Sequence, residues 1–74
     1  MSLLSKKQFT QRLAKRIKQL RNEKGMSQED LADKAELYRT YIGHLENARY
    51  SPSAYVLYKV AKALRVKLSE LFDL

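Results

Sequence analysis

Apolar side chains recur along this chain at the spacing of an α-helix, and this periodicity constrains the fold more than any other feature. Phe9, Leu13, Ile17 and Leu20 fall on one side of a helix, because residues three and four apart lie above one another on its surface. No window alternates apolar and polar residues for long enough to form a strand. We therefore expect an all-α fold, whose first helix ends near Gly25, since glycine suits the position after a helix end.

A capping signal marks the start of a second helix. Ser27 is followed three residues later by Asp30, an acidic form of the capping box in which each side chain accepts a hydrogen bond from the other residue's backbone N–H. This helix ends near Ala35, and a third begins around Tyr38 after a short turn. Residues 27–47 thus predict two short helices joined by a tight turn, a helix-turn-helix unit. The residues that we expect to be buried in this unit are Leu31, Ala32, Ala35, Ile42 and Leu45.

Two further helices follow. Ser51 or Ser53 caps a fourth helix, and Pro52 suits its first turn because the missing N–H has no helical partner there. A fifth, short helix over about residues 68–72 packs Leu71 and Phe72 against the core. We expect one domain over residues 1–74, with residues 1–7 as a flexible arm. The predicted apolar stripe of the fourth helix is Leu57, Val60, Ala61 and Leu64.

The charge of the chain is strongly unbalanced. Its net charge is +7, from 15 Lys and Arg against 8 Asp and Glu. In a chain of 74 residues this favours a polyanionic partner such as nucleic acid, although charge can also serve solubility alone. Five of the eight acidic residues lie between residues 23 and 36, so the positive surface is local. The basic residues that crowd the first third are Lys6, Lys7, Arg12, Lys15, Arg16, Lys18, Arg21 and Lys24.

Several functional classes are disfavoured by composition. The chain has no cysteine and one histidine, His44, which excludes disulfides and a zinc site built from Cys and His. No apolar run is long enough to cross a bilayer, and no secretory signal is visible, so we expect a soluble, cytoplasmic protein without a membrane partner. The sequence shows neither a nucleophile and base nor a phosphate-binding loop. We expect no enzyme activity, cofactor, metal or small-molecule substrate.

Several segments resemble the Cro and phage-repressor helix-turn-helix family. They are residues 25–32 (GMSQEDLA), 41–42 (YI), 45–47 (LEN) and 61–64 (AKAL), while residues 68–72 (LSELF) resemble the closing helix of that family. The resemblance covers residues 12–72 and implies a five-helix, lambda-repressor-like domain. It also implies a regulator that binds a palindromic operator in double-stranded DNA as a homodimer. Residues 39–42 (RTYI), together with the small size, are similar to the controller proteins of restriction–modification systems.

This resemblance assigns roles to individual residues. Arg39, Thr40 and His44 match positions that read bases in the major groove, where Arg39 can donate two hydrogen bonds to guanine and Thr40 can contact a thymine methyl group. Gln28 matches a phosphate-binding position at the start of the second helix. The other residues implied to contact the DNA backbone are Tyr38, Tyr41, Gly43, Asn47, Arg49 and Tyr50.

Two structural expectations accompany these roles. The resemblance implies that Arg21 forms an ion pair with Glu46. In the fourth helix, Tyr55 and Val56 lie off the inward stripe, and an apolar surface without a partner marks an interface. The predicted dimer interface comprises Tyr55, Val56, Leu71 and Leu74.

The sequence departs from the family pattern at three positions. Glu36 occupies a turn in which glycine is common, and a left-handed backbone there costs a non-glycine residue about 1 kcal/mol. Tyr38 and Lys67 stand where a capping Ser, Thr or Asp is usual, which weakens both caps. Two other functions remain open from the sequence. One is an antitoxin-type or other protein-interaction module on the same fold, and the other is a nucleic-acid binder without sequence preference.

Overall fold

The computed structural model describes residues 2–74, and the regular structure of those residues is entirely helical. The five-helix, all-α architecture expected from the periodicity is confirmed. The helices are α1 (Lys6–Glu23), α2 (Gln28–Ala35), α3 (Arg39–Glu46), α4 (Ala54–Leu64) and α5 (Leu68–Leu71). None of the described helices is both long and apolar enough to cross a membrane.

The first helix begins inside the segment predicted as an arm. Ser5 caps it, because its Oγ accepts from the backbone N–H of Gln8 at 3.1 Å while Gln8 Oε1 accepts from the backbone N–H of Ser5 at 2.9 Å. Lys6 and Lys7 therefore belong to the first turn of α1, and only the residues before Ser5 remain for an arm. Met1 lies outside the described residues.

The capping box predicted for α2 is present. Asp30 N–H donates to Ser27 Oγ, and Ser27 N–H donates to Asp30 Oδ2, both at 3.0 Å. The hydrogen bonds from the backbone N–H and the hydroxyl of Ser27 lower the pKa of Asp30. The ionised carboxylate therefore stabilises the start of α2 at pH values above the usual pKa of aspartate. That contribution is lost as the pH falls through the lowered pKa of Asp30.

Three non-glycine residues adopt a left-handed backbone just after helices end. They are Glu36 (φ 56°), Ala48 (φ 59°) and Arg65 (φ 57°), and each costs about 1 kcal/mol relative to glycine. Glu36 and Ala48 flank α3, so the backbone is strained on both sides of that helix. Lys59 Nζ donates to the Glu36 carbonyl at 3.1 Å and helps to hold the first of these turns.

The apolar core lies where α1, α2, α3 and α4 meet, and α5 closes it. Leu71 is 0% exposed, whereas Phe72 is 43% exposed and places its ring 6.0 Å from that of Phe9. Phe72 thus lies at the edge of the core, contrary to expectation, because it follows the last residue of α5 and packs beside the half-buried Phe9. Every other residue predicted to face inward in α2, α3 and α4 is buried: Leu31, Ala32, Ala35, Ile42, Leu45, Leu57, Val60, Ala61 and Leu64.

The ends of the last two helices are fixed by polar contacts. Ser53, not Ser51, caps α4, with its Oγ accepting from Val56 N–H at 3.2 Å. Pro52 consequently precedes the helix instead of lying in its first turn. Arg16 Nε donates to the Glu70 carbonyl at 2.8 Å and Arg12 Nη1 to the Leu74 carbonyl at 3.2 Å. Two cations of the basic first third therefore hold the C-terminal segment.

Candidate nucleic-acid interface

The third helix is buried along one side and open to solvent along the other. A helix turns by about 100° per residue, which groups Ile42, Leu45 and Glu46 on the inward side, where all three are buried. The turn before it spans only residues 36–38, so α2 and α3 pack closely and the outer side of α3 projects from the molecule. A major groove admits a helix presented in this way. The outward residues of α3 and its cap are Arg39, Thr40, Gly43, His44 and Asn47.

The inward side of α3 is fixed by a buried ion pair, and this is the pair that the resemblance implied. Arg21 Nε donates to Glu46 Oε2 at 2.6 Å and Arg21 Nη2 donates to Glu46 Oε1 at 3.0 Å. The two side chains are only 9% and 2% exposed. The hydrogen bond to Glu46 raises the pKa of Arg21, against the opposing effect of burial. Since Arg21 Nη1 also donates to the Met26 carbonyl at 2.7 Å, one guanidinium joins the end of α1, the loop before α2 and the end of α3.

The same carboxylate orients the first residue of α2. Gln28 Nε2 donates to Glu46 Oε1 at 3.2 Å, which directs the amide of Gln28 toward the side of α3. The second N–H of that amide has no partner among the described residues. Gln28, predicted to bind a phosphate, is therefore held in place with one donor still available.

Gly43 lies in the middle of α3 without a structural need for glycine. A Cβ added there would meet nothing closer than Gln28 Oε1 at 3.9 Å, an ordinary van der Waals distance, and its φ is not positive. A glycine inside a helix destabilises it by about 0.5–1 kcal/mol relative to alanine. The missing side chain opens the centre of the exposed face, where another molecule can approach the backbone.

Three aromatic side chains form a cluster along one edge of this face. The ring of Tyr50 stacks on Tyr41 with centroids 5.5 Å apart and meets the ring of His44 at 5.3 Å and a steep angle. Tyr50 thereby fastens the segment after α3 onto the helix. His44 is half-buried in this cluster, so it is less free to reach a base than the exposed Arg39 and Thr40.

The residues predicted to contact a DNA backbone differ in whether their polar groups already form hydrogen bonds within the protein. Asn47 Nδ2 donates to the Gly43 carbonyl at 2.9 Å, so the side chain of Asn47 also closes the end of α3. Tyr38 is 85% exposed and, as expected, makes no capping hydrogen bond. Arg49 is exposed. All of these residues border the outer side of α3. The hydrogen bond of Gln28 to Glu46 joins residues 18 positions apart, and neither it nor the contact of Tyr50 with His44 is indicated by a sequence pattern.

The residues predicted to form a dimer interface do not all reach the surface. Tyr55 is 67% exposed, and Val56 and Leu74 are half-buried. Leu71 is 0% exposed, because it fills the core beneath α5, so its assignment to an interface is wrong.

Comparison with known proteins identifies one family. The model of the helix-turn-helix family HTH_3 matches residues 17–71. The immunity repressor protein of Bacillus phage phi105 is 42% identical over 57 residues, which are 77% of this chain and 40% of that repressor. The matched segment therefore spans less than half the length of the phage protein.

Two solved structures of restriction–modification controller proteins share the fold. C.AhdI from Aeromonas hydrophila superposes with a TM-score of 0.84 at 36% identity, covering 85% of this chain and 96% of that one. C.Esp1396I, solved as a tetramer in complex with its natural 35-base-pair operator, gives a TM-score of 0.83 at 37% identity, covering 88% of this chain and 86% of that one.

Proposed function

The chain belongs to the helix-turn-helix family HTH_3, and from this premise we propose that it is a sequence-specific DNA-binding transcription regulator. The exposed face of α3, held from behind by the buried Arg21–Glu46 pair, is the observation that carries the proposal. Similarity to a phage repressor and to operator-binding controller proteins supports it. A controller of a restriction–modification system is the more specific form, supported by the RTYI segment and by the coverage of C.AhdI.

The proposed roles follow from where each side chain lies. Arg39 and Thr40, exposed and without a side-chain hydrogen bond to any of the described residues, read base edges, and His44 assists from the aromatic cluster. Base contacts determine sequence preference, whereas phosphate contacts fix orientation. The residues proposed to contact the DNA backbone are Gln28, Tyr38, Tyr41, Gly43, Asn47, Arg49 and Tyr50. No catalytic role is assigned, and a cytoplasmic location follows from the proposed partner.

A homodimer is part of the proposal, because one recognition helix covers only a few base pairs. Two copies related by a twofold axis read two half-sites about one helical turn apart, so the operator is palindromic. With Leu71 in the core, we propose an interface of Tyr55, Val56 and Leu74. The exposed Phe72 adds apolar surface in the same C-terminal segment.

Selection of bound duplexes from a random DNA pool tests the function. We expect enrichment of one twofold-symmetric sequence, because the dimer presents the same side chains to both half-sites. The selected duplex and a scrambled duplex of the same composition are then compared in direct binding. Equal affinity for the two, with no enriched sequence, would indicate a binder without sequence preference. No binding to any duplex would exclude DNA as the partner.

The dimer interface is tested by two matched tyrosine variants. We expect Tyr55→Asp to sediment as a monomer at concentrations where the wild type is a dimer, since a charge in an apolar contact loses its hydration. Tyr38→Asp, at an exposed position that is not part of the proposed interface, should remain dimeric. Circular dichroism checks that both variants are folded. A wild type that stays monomeric, or a dimeric Tyr55→Asp, would show that the interface lies elsewhere or does not form.

A further inference from the structure

A second basic surface lies beside the end of α3. The first turns of α1 and the segment after α3 form a groove of about 510 Å³. Lys6, Lys7, Thr10 and Gln11 line one side and residues 47–49 the other, so the lining carries three cations and no carboxylate. Of these cations only Arg49 belongs to the proposed recognition surface.

Lys6 and Lys7 stand where a helix disfavours positive charge. The N-terminus of a helix carries a partial positive charge, so acidic residues stabilise its first turn and basic residues destabilise it. The 18-residue helix α1 has no acidic residue in that turn, whereas α2 follows the usual preference with Glu29 and Asp30. Two lysines at the start of α1 therefore lower the stability of the free protein.

Nothing within the described residues compensates these charges. The two ion pairs of the described part of the chain are Arg16–Asp73 and Arg21–Glu46. The side-chain nitrogens of Lys6, Lys7 and Arg49 form no hydrogen bond with another described residue, although three arginines of α1 all donate to carbonyls or carboxylates. The cations of the groove are thus free to bind an external anion.

We propose that this groove binds phosphates of the DNA that flanks the sequence read by α3, an inference that rests on the proposed function. The two surfaces are continuous, because residues 47–49 follow α3 directly and also line the groove. A DNA strand that passes the end of α3 meets Lys6 and Lys7 next. Such contacts add affinity and lengthen the bound segment without reading bases.

A charge-matched pair of variants isolates the groove. Lys6→Gln/Lys7→Gln removes two charges from it, and Lys24→Gln/Lys34→Gln removes two from a separate groove near Ala63. Each neutralised phosphate contributes about −0.9 to the slope of log K against log salt. Between 50 and 200 mM salt we therefore expect the wild type to lose about tenfold more affinity per protomer than Lys6→Gln/Lys7→Gln. The control double variant should keep the wild-type slope.

Two further measurements complete the test: binding to shorter DNA duplexes and the melting temperature of the protein variant. Shortening the DNA on either side of the selected sequence should weaken the wild type and leave Lys6→Gln/Lys7→Gln unchanged, and that variant should melt no lower than the wild type. Equal salt slopes for the two double variants would overturn the proposal that the groove binds phosphates, while leaving the proposed function intact. A lower melting temperature for Lys6→Gln/Lys7→Gln would show that the lysines serve folding. A wild type that binds no DNA would instead overturn the proposed function.

Discussion

Glu46→Ala should lower the free energy of unfolding by about 3–5 kcal/mol. The substitution removes both carboxylate acceptors of the Arg21 guanidinium, whose side chain is 9% exposed, and leaves a buried charge with only the Met26 carbonyl as acceptor. It also releases Gln28 from its hydrogen bond to Glu46. A domain of this size has a total stability of about 4–11 kcal/mol, so the variant should lose a large share of it. Urea denaturation followed by circular dichroism measures the change.

Two companion variants separate loss of the pair from loss of a carboxylate. Glu23→Ala, at an exposed position of α1, should change stability little, because surface contacts contribute little. Arg21→Met/Glu46→Leu should recover much of the loss, since an apolar pair of similar volume often replaces a buried ion pair without penalty. A Glu46→Ala variant that melts with the wild type would show that the pair does not stabilise the fold.

Arg39→Ala should weaken binding to the selected operator by about 1–3 kcal/mol and relax the preference at one base position in each half-site. The guanidinium is exposed and has no partner among the described residues, so its loss should leave the melting temperature unchanged. Its two-pronged donor set fits the acceptors of guanine in the major groove. Binding to duplexes with each base substituted in turn measures both the affinity and the preference.

Arg49→Ala provides the matched control, because it removes the same side chain from a proposed phosphate contact. We expect a similar loss on every sequence and a salt slope reduced by about 0.9 per protomer. If Arg39→Ala instead weakens all sequences equally, Arg39 binds a phosphate and another residue determines the preference.

The sequence predicts the features of this fold that depend on neighbours along the chain. The apolar periodicity and the Ser27–Asp30 signal located the helices, because both act within a few residues. The capping box of Ser5 and Gln8 is equally local, and it begins α1 inside the segment predicted as an arm, so that Lys6 and Lys7 are helical.

Contacts between distant residues were less accessible. The pairing of Arg21 with Glu46 came from the resemblance, since no pattern in one sequence joins residues this far apart. The same limit applies to the end of the chain. Leu71 is buried as expected, but its assignment to the interface is wrong, and Phe72 lies at the edge of the core. Both are apolar, and their positions depend on how α5 packs against the other helices. The hydrogen bond from Gln28 to Glu46 depends on how α2 packs against α3. The sequence pattern of each helix by itself does not predict that packing.

The division of α3 into a fixed side and an open side has an evolutionary consequence. The buried side of the helix consists of Ile42, Leu45 and Glu46, whereas the exposed side chains of Arg39 and Thr40 form no hydrogen bond with another described residue. Mutations at Arg39 and Thr40 can therefore accumulate without first being compensated elsewhere. The fold also holds a reserve of stability at its strained residues Glu36, Ala48 and Arg65, because replacement of any of them by glycine would make the protein more stable. A lineage built on this scaffold can exchange one target sequence for another in single steps, each of which leaves a folded protein.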